Sequence, residues 1–447
     1  MTSRRDFIKK VAIGSAAVSV GGVLPGFSNK SYRNIVGAND RIRMGAIGVN
    51  ARGSALSAGF AMEKGCEIAY VCDVDTRASA RCIADVQKIA GNTPKSEKDI
   101  RRLLEIKDLD AVFIATPEHW HAPAALMAMK AGKHIYLEKP TSHNPAENEI
   151  LIEALKRYKV VAATGMQRRS WPNVRKAIGE IHEGVIGNVY FGKAWYTNNR
   201  ASIGTGKITA VPEWLDWELW QGPAPRVKNY KDNILHYNWH WFYNWGTGES
   251  GNNAVHFIDL LRWGMELSYP TEVNSMGGRF RYEDDWQFPD TQVTNFGFGN
   301  NKMITWEGRS CNGKSIESSS VGALFHGENG TLLISGGNGY QIFDLQNKLI
   351  KEVKSDIEFL PGDTLNPSQR LDGFHFTNFL DGIRKSTPLY ADLNVGAVST
   401  TLALLGNISQ RTNTTFKTNP VNGHIINNKA ASKLWGRDYQ KGWEMKL

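Results

Sequence analysis

The sequence predicts an α/β protein in two parts: a doubly wound parallel domain, then an α+β domain carrying a large, mainly antiparallel open sheet. Three observations lead there. The chain has 447 residues, more than one hydrophobic core usually organises. Up to residue 163, short apolar runs alternate with helical stretches, as in repeated βα units. Beyond residue 167, strand-like segments follow one another without a helix between each pair.

Composition narrows the function classes. With 41% hydrophobic and 22% charged residues the balance is that of a globular protein. The formal net charge is +9, of which residues 1–29 hold +3 through Arg4, Arg5, Lys9 and Lys10 against Asp6. No basic run carries interleaved aromatics, so nucleic acid is not an expected partner. The four cysteines lack metal-ligand spacing and no metal site is expected; Cys66 and Cys72 should lie on or beside a buried strand. The run from Ser3 through Arg4, Arg5 and Lys9, followed by an apolar stretch of about 14 residues, resembles a twin-arginine export signal too short to anchor in a bilayer. The expectation is therefore a periplasmic protein without stable membrane insertion: a signal over 1–29, a first domain over 34–166 and a second over 167–447.

In the first domain, residues 41–47 (RIRMGAI) alternate into an apolar run suited to a buried parallel strand. It leads into Gly48-Val49-Asn50-Ala51-Arg52-Gly53 and a helical stretch over 54–64. This pattern resembles the G-x-G-x-x-G turn, whose amides and helix N-terminus hold a pyrophosphate, with Asn50 in place of the middle glycine. Asn tolerates left-handed backbone angles, so the turn should survive. Gly48, Asn50, Arg52 and Gly53 are accordingly candidate cofactor residues. A second strand over 67–72 ends at Asp73, whose carboxylate suits ribose hydroxyls and repels a 2′-phosphate. That favours NAD over NADP, although Arg77 lies close by; a helix cap is the other reading of Asp73. Strands over 111–115, 134–137 and 160–163 alternate with helices over 121–131 and 146–156. Ligands bind at the C-terminal ends of such strands. Two polar segments fall there: Thr116-Pro117-Glu118-His119-Trp120-His121 and Glu138-Lys139-Pro140.

With those segments, the chain resembles the glucose–fructose oxidoreductase / inositol dehydrogenase / rhizopine-catabolism (Gfo/Idh/MocA) family from about Arg41 to Trp443. The resemblance implies that Lys139 lies beside nicotinamide and the substrate hydroxyl, followed by a proline that is often cis. An ammonium there stabilises developing alkoxide charge. A second family element is Gly248-Glu249-Ser250-Gly251-Asn252-Asn253-Ala254-Val255-His256. The family's usual form has an acid four residues before a histidine acting as general acid–base; here Asn252 replaces the acid and His256 keeps its place. His240, or Lys139 alone, is the alternative base. The resemblance also assigns Gln167 to the nicotinamide ribose or carboxamide, and Thr116, Glu118, His121 and Glu138 to the cofactor side.

The second domain is expected to hold strands over 189–198, 272–282, 291–298, 302–307, 322–326, 331–334 and 340–344. Helices over 370–384 and 395–412 should return to the first domain. Such a sheet commonly joins subunits, so a homodimer or homotetramer is expected. Seven of the 14 tryptophans fall between residues 195 and 245, a density suited to a carbohydrate cleft or to core packing. The run from His236 to Phe242 supplies His240 and Trp241 as substrate-binding candidates. Arg168 and Arg169 are candidates for an anionic substrate group, with surface ion pairs as the alternative.

The reading that unites these residues is an NAD(P)-dependent oxidoreductase moving hydride between nicotinamide and a hydroxyl carbon of a sugar, glycoside or polyol. Export implies tightly bound NAD and a redox acceptor or second carbonyl substrate. The alternatives are redox-neutral NAD-dependent glycoside cleavage through a transient keto-sugar, and a non-catalytic sugar-binding protein.

Overall fold

The computed structural model describes residues 41–355, 357 and 369–447. The export signal over 1–29 and the start at residue 34 lie outside the described residues. Six parallel strands make the first sheet: β1 (Ile42–Ile47), β2 (Cys66–Cys72), β3 (Lys95–Glu97), β4 (Ala111–Ile114), β5 (His134–Leu137) and β6 (Ala162–Thr164), in the order β3-β2-β1-β4-β5-β6. The order reverses between β1 and β4, and a doubly wound sheet opens a ligand crevice at that point. β4 is apolar and buried throughout, and β1 is so except at Arg43, because helices cover both faces. The covering helices are α1 (Arg52–Met62), α2 (Thr76–Ala90), α3 (Ile100–Leu104), α4 (His121–Lys130) and α5 (Pro145–Tyr158). Cys66 and Cys72 sit at the two ends of β2, and all four cysteines are free thiols.

A helix that the sequence reading passed over, α6 (Pro172–His182), opens the second domain with proline in its first turn. The strand β7 (Val189–Thr197), the short helix α7 (Trp217–Gln221) and the helix α8 (Val255–Gly264) follow. Then come β8 (Glu272–Gly278), β9 (Thr291–Phe298), β10 (Lys302–Arg309), β11 (Val321–Gly327), β12 (Gly330–Ile334), β13 (Tyr340–Phe343) and β14 (Leu349–Val353). The chain closes with α9 (Gln369–Lys385), α10 (Leu393–Thr412), β15 (Phe416–Thr418), β16 (Ile425–Ile426) and α11 (Lys429–Ser432). Ten of these strands join in one sheet, β14-β13-β12-β11-β7-β10-β9-β8-β15-β16, antiparallel except where β10 runs parallel to β7. Three of its strands, β14, β15 and β16, are additional to those expected. β8 stops at Gly278 rather than Tyr282 because Arg279 turns the chain to meet Asp284 at 2.7 Å and Asp290 at 3.1 Å.

The core of the second domain packs α6, α8 and α10 against one face of this sheet, through Trp171, Ile178, Phe257, Leu261, Trp306 and Phe325. The helix α9 leaves that sheet and packs on the first domain. Its Phe376 ring lies 4.4 Å from Phe60 of α1, in a cluster with Phe113, Tyr136 and Phe379. Among the described residues, no helix is long and apolar enough to cross a membrane.

Phe60 is fully buried between the sheet and α9. Truncating it to alanine should therefore lower stability by about 3–5 kcal/mol, the cost of emptying a packed aromatic site. Chemical denaturation of Phe60→Ala beside the parent checks this; an unchanged midpoint would contradict the packing described.

Candidate active site

A cleft of about 600 Å³ opens at the C-terminal ends of the first sheet and continues under β7 and α8. At one end the chain leaves β1 at Gly48, in left-handed backbone with φ 76°. A side chain there would meet the Thr116 amide at 2.6 Å, and one at Gly53 would meet the Gly48 carbonyl at 1.7 Å. The turn is thus closed on itself and open toward the cleft. The left-handed angle expected at Asn50 falls on Gly48 instead, and the Asn50 Oδ1 accepts a bond from Arg81 Nη2 at 2.8 Å.

Asp73 stands at the tip of β2. Its carboxylate accepts the amides of Val49 at 2.7 Å and Asp75 at 2.9 Å. Burial pushes this carboxyl up, against the pull of those two amides. It therefore braces the glycine turn. The helix cap considered for Asp73 belongs to Asp75, which accepts from the amides of Arg77 and Ala78. Asp75 also binds the Arg77 side chain, and that guanidinium lies 3.3 Å over the Trp214 ring. Arg77 is thereby occupied.

Trp214 belongs to a strap from the second domain that crosses the β2–α2 turn. Thr76 N donates to Trp214 O at 3.0 Å, Asp216 N donates to Val74 O at 3.0 Å, and His236 Nε2 meets Asp75 at 2.9 Å. The glycine turn, the half-buried Asp73 and a Gln167 whose buried Oε1 has no hydrogen-bond partner among the described residues fit a dinucleotide. Gly48, Asn50, Arg52, Asp73, Thr116, Glu118, His121, Glu138 and Gln167 all line the cleft. Gly53 lies behind the turn, where it permits the close contact with Gly48.

At the other end, Glu138 and Lys139 leave β5, and the Lys139–Pro140 peptide is cis. Arg52 reaches Glu138 at 2.8 Å and Asp372 of α9 at 3.0 Å, all three largely buried. Burial alone would raise the Glu138 carboxyl; Arg52 and Lys139 outweigh it and hold it below its ordinary value. Lys139 Nζ donates to the Asn252 carbonyl at 2.8 Å and to its Oδ1 at 3.3 Å. That carbonyl is available because residues Ser250–Ala254 form a π-helical turn before α8, and the extra residue disturbs the ladder. Burial lowers the Lys139 pKa, against Glu138 and Glu118.

His256 lines the same cleft, from the first turn of α8. Its buried Nδ1 has no partner among the described residues, and burial plus the cations Arg168, Lys139 and Arg52 hold the ring neutral. His121 faces two carbonyls, Pro140 O at 2.6 Å and Thr116 O at 2.8 Å, which fixes it under the cis peptide. Glu118 is buried against Thr247, whose hydroxyl donates to it at 2.5 Å; burial pushes its carboxyl up to about 7.

The aromatic run divides. His240 lines the cleft, with Nδ1 on Tyr237 O at 2.6 Å and its ring stacked on Trp239 at 3.6 Å. Trp241 does not line it. That ring is 1% exposed and stacks on Trp286 at 3.8 Å in a separate apolar cluster. The short 3₁₀ turn over Asn238–Trp241 points its successive side chains in different directions, so Trp239 faces the cleft in its stead. Most of the other tryptophans pack in the core: Trp217, Trp220 and Trp245 form one cluster. Arg168 lines the cleft, whereas Arg169 is withdrawn into a buried pair with Asp259, at 2.7 and 3.0 Å.

Two residues that line the cleft, Tyr237 and Arg200, and the buried Glu249 behind them were not anticipated. Tyr237, at φ 80°, has its hydroxyl 3.2 Å from Asn252 Nδ2. Arg200 pairs with Glu249 at 3.0 Å, and Glu249 also accepts from Ser310 and from Asn252. Glu249 thus orients Asn252, and with it Lys139. Tyr237 carried a faint signal as part of the aromatic run; Arg200 carried none.

Residues 42–166 match the oxidoreductase family model for the NAD-binding Rossmann fold, and residues 216–417 match that family's C-terminal alpha/beta domain. The chain belongs to the Gfo/Idh/MocA oxidoreductase family, and its first domain is of the NAD-binding Rossmann type. Among curated relatives, a glycosyl hydrolase family 109 protein of Saccharopolyspora erythraea is 27% identical over 226 residues, 47% of this chain and 49% of that protein. A levoglucosan dehydrogenase of Pseudarthrobacter phenanthrenivorans is 29% identical over 168 residues, 38% of this chain and 36% of that protein. The chain therefore spans half or less of the length of these relatives. Among solved structures, levoglucosan dehydrogenase in complex with NADH and levoglucosan superposes with a TM-score of 0.63 at 18% identity, covering 84% of this chain and 99% of that one. The UDP-N-acetylglucosamine 3-dehydrogenase of Acidithiobacillus ferrooxidans gives 0.57 at 17%, covering 83% and 98%. These two likenesses carry the fold.

The Glu118 carboxyl titrates higher in the fold, near 7, than its ordinary 4.5. Its contribution to stability is fully present below pH 4.5 and is lost as the pH rises through about 7. Glu118→Gln should therefore gain in thermal midpoint relative to the parent as pH climbs through that window. Melting curves at pH 4.5 and 8 test it, and a difference independent of pH would refute the assignment.

Proposed function

We propose that this chain is a nicotinamide-dependent dehydrogenase that moves hydride between bound NAD and a hydroxyl-bearing carbon of a sugar, glycoside or polyol. The observation that carries the reading is the meeting of Lys139 and Asn252 in the cleft that also holds His256 and the glycine turn. NAD, when bound, supplies the hydride acceptor. Asn252 takes two of the three N–H bonds of Lys139 and aims the third at the substrate oxygen. As the hydroxyl proton departs, the ammonium stabilises the alkoxide that forms. The neutral His256 ring takes that proton, a role open to an imidazole and closed to an ammonium already protonated.

Asp73 and the occupied Arg77 support NAD over NADP, since neither offers a free cation to a 2′-phosphate. The strap over the β2–α2 turn supports tight retention of the cofactor. Export by the twin-arginine route, with NAD bound before transport, follows from the N-terminal pattern; a second carbonyl substrate or a redox acceptor then reoxidises NADH. Tyr190, Met276 and Met303 lie exposed on the large sheet and support a homodimer or homotetramer. A second reading, redox-neutral cleavage of glycosides through a transient keto-sugar, draws support from relatives named as glycosyl hydrolase family 109 proteins.

Denaturing the purified protein should release NAD into the supernatant. Incubation with a sugar panel should raise absorbance at the reduced-nicotinamide band. Lys139→Ala should lose turnover by about 10²–10⁴-fold while keeping the cofactor. Aglycone released without net reduction would select the second reading. A protein that carries no NAD, or a variant as active as the parent, would overturn both.

A further inference from the structure

Three arginines line the cleft, and two of them have carboxylate partners: Arg52 has Glu138 and Asp372, and Arg200 has Glu249. Arg168 has none among the described residues. It is 9% exposed, and its only hydrogen bond there runs from Nη2 to the Gly336 carbonyl at 3.3 Å. The buried Nε has no hydrogen-bond partner among the described residues. The Phe257 ring lies 4.6 Å and the Trp171 ring 5.0 Å from the guanidinium carbon. Aromatic rings can cover the guanidinium faces, but they cannot satisfy its N–H edges.

The one carboxylate whose field reaches Arg168, Asp372, is already paired with Arg52, so this buried cation is poorly compensated, and a ligand in the cleft can complete it. Burial lowers the Arg168 pKa to about 10, which still leaves it charged at neutral pH. The residues it touches, Trp171, Phe257 and Gly336, all belong to the second domain. Its field also acts on His256, ahead of those of Lys139 and Arg52. The cation therefore stands on the second-domain wall of the cleft, with its field reaching the proton-accepting ring.

We propose that the substrate is a carboxylated sugar, of the uronic-acid class, and that Arg168 binds its carboxylate. A planar carboxylate matches the N–H fork of a guanidinium in a way that a neutral hydroxymethyl group cannot. The inference rests on the sugar reading of the cleft, but it concerns binding and does not require turnover.

The test is calorimetric titration of the NAD-loaded protein with matched pairs differing only at C6: methyl glucuronide against methyl glucoside, and methyl galacturonide against methyl galactoside. At least one uronide should bind about tenfold or more tightly than its neutral partner, the effect of a charge-assisted contact. Arg168→Gln should bring that ratio to about one. Arg168→Lys, which keeps the charge and loses the fork, should retain part of the preference. A parent protein that favours no uronide over its neutral partner overturns the proposal, as does a preference that survives Arg168→Gln. A uronide preference without any NADH formation would sink the dehydrogenase reading and leave this one standing.

Discussion

The buried contact of one guanidinium with two carboxylates joins the pieces on which the cleft depends. Arg52 stands in the first turn of α1, Glu138 at the end of β5 and Asp372 in α9, which arrives from beyond the large sheet. Without Arg52, two carboxylates would share a nearly dry site with no cation between them. Removing one member of such a group is far more costly than the set as a whole is stabilising. The contact also sorts neighbouring residues. Glu138 is committed to Arg52, so the ammonium of Lys139, next in the chain, donates its hydrogen bonds to Asn252 on the opposite wall.

A similar division governs that wall. Glu249 is shared among Arg200, Ser310 and the two asparagines at 252 and 253. The family pattern has an acid at position 252, and here a carboxylate stands three residues earlier, reaching the same neighbourhood through the π-helical turn. Asn252 can accept from Lys139 through Oδ1 and donate to Glu249 and Tyr237 through Nδ2. A carboxylate at 252 could only accept, and would face Glu249 as a like charge. The substitution and the displaced acid are thus consistent with each other.

Much of this could be read from the sequence, and the division follows contact range. The glycine turn and Glu138-Lys139-Pro140 were legible because strand ends, turn residues and cleft position coincide within a few residues. The two-sheet architecture was legible from the change in spacing after residue 167. Pairings over long range were not. The partners of Arg52 lie 86 and 320 residues away, and the Arg169–Asp259 pair that withdraws Arg169 from the cleft spans 90. Trp241 shows a different limit. In a run of aromatics, composition cannot tell which ring faces a cleft and which fills a core, because a tight turn redirects the side chain at every step. The short β15 and β16 were missed for want of a pattern: two or three residues are too few for alternation to register.

The strap across the β2–α2 turn bears on time rather than on strength. It is held by two backbone hydrogen bonds, the His236–Asp75 contact and the guanidinium of Arg77 on Trp214. If a molecule bound beneath the strap comes and goes by that route, those contacts must part each time. Such a barrier slows arrival and departure alike, so it cancels from the equilibrium constant. Dwell time is then set by local opening of the strap, and a long residence does not demand an exceptional affinity.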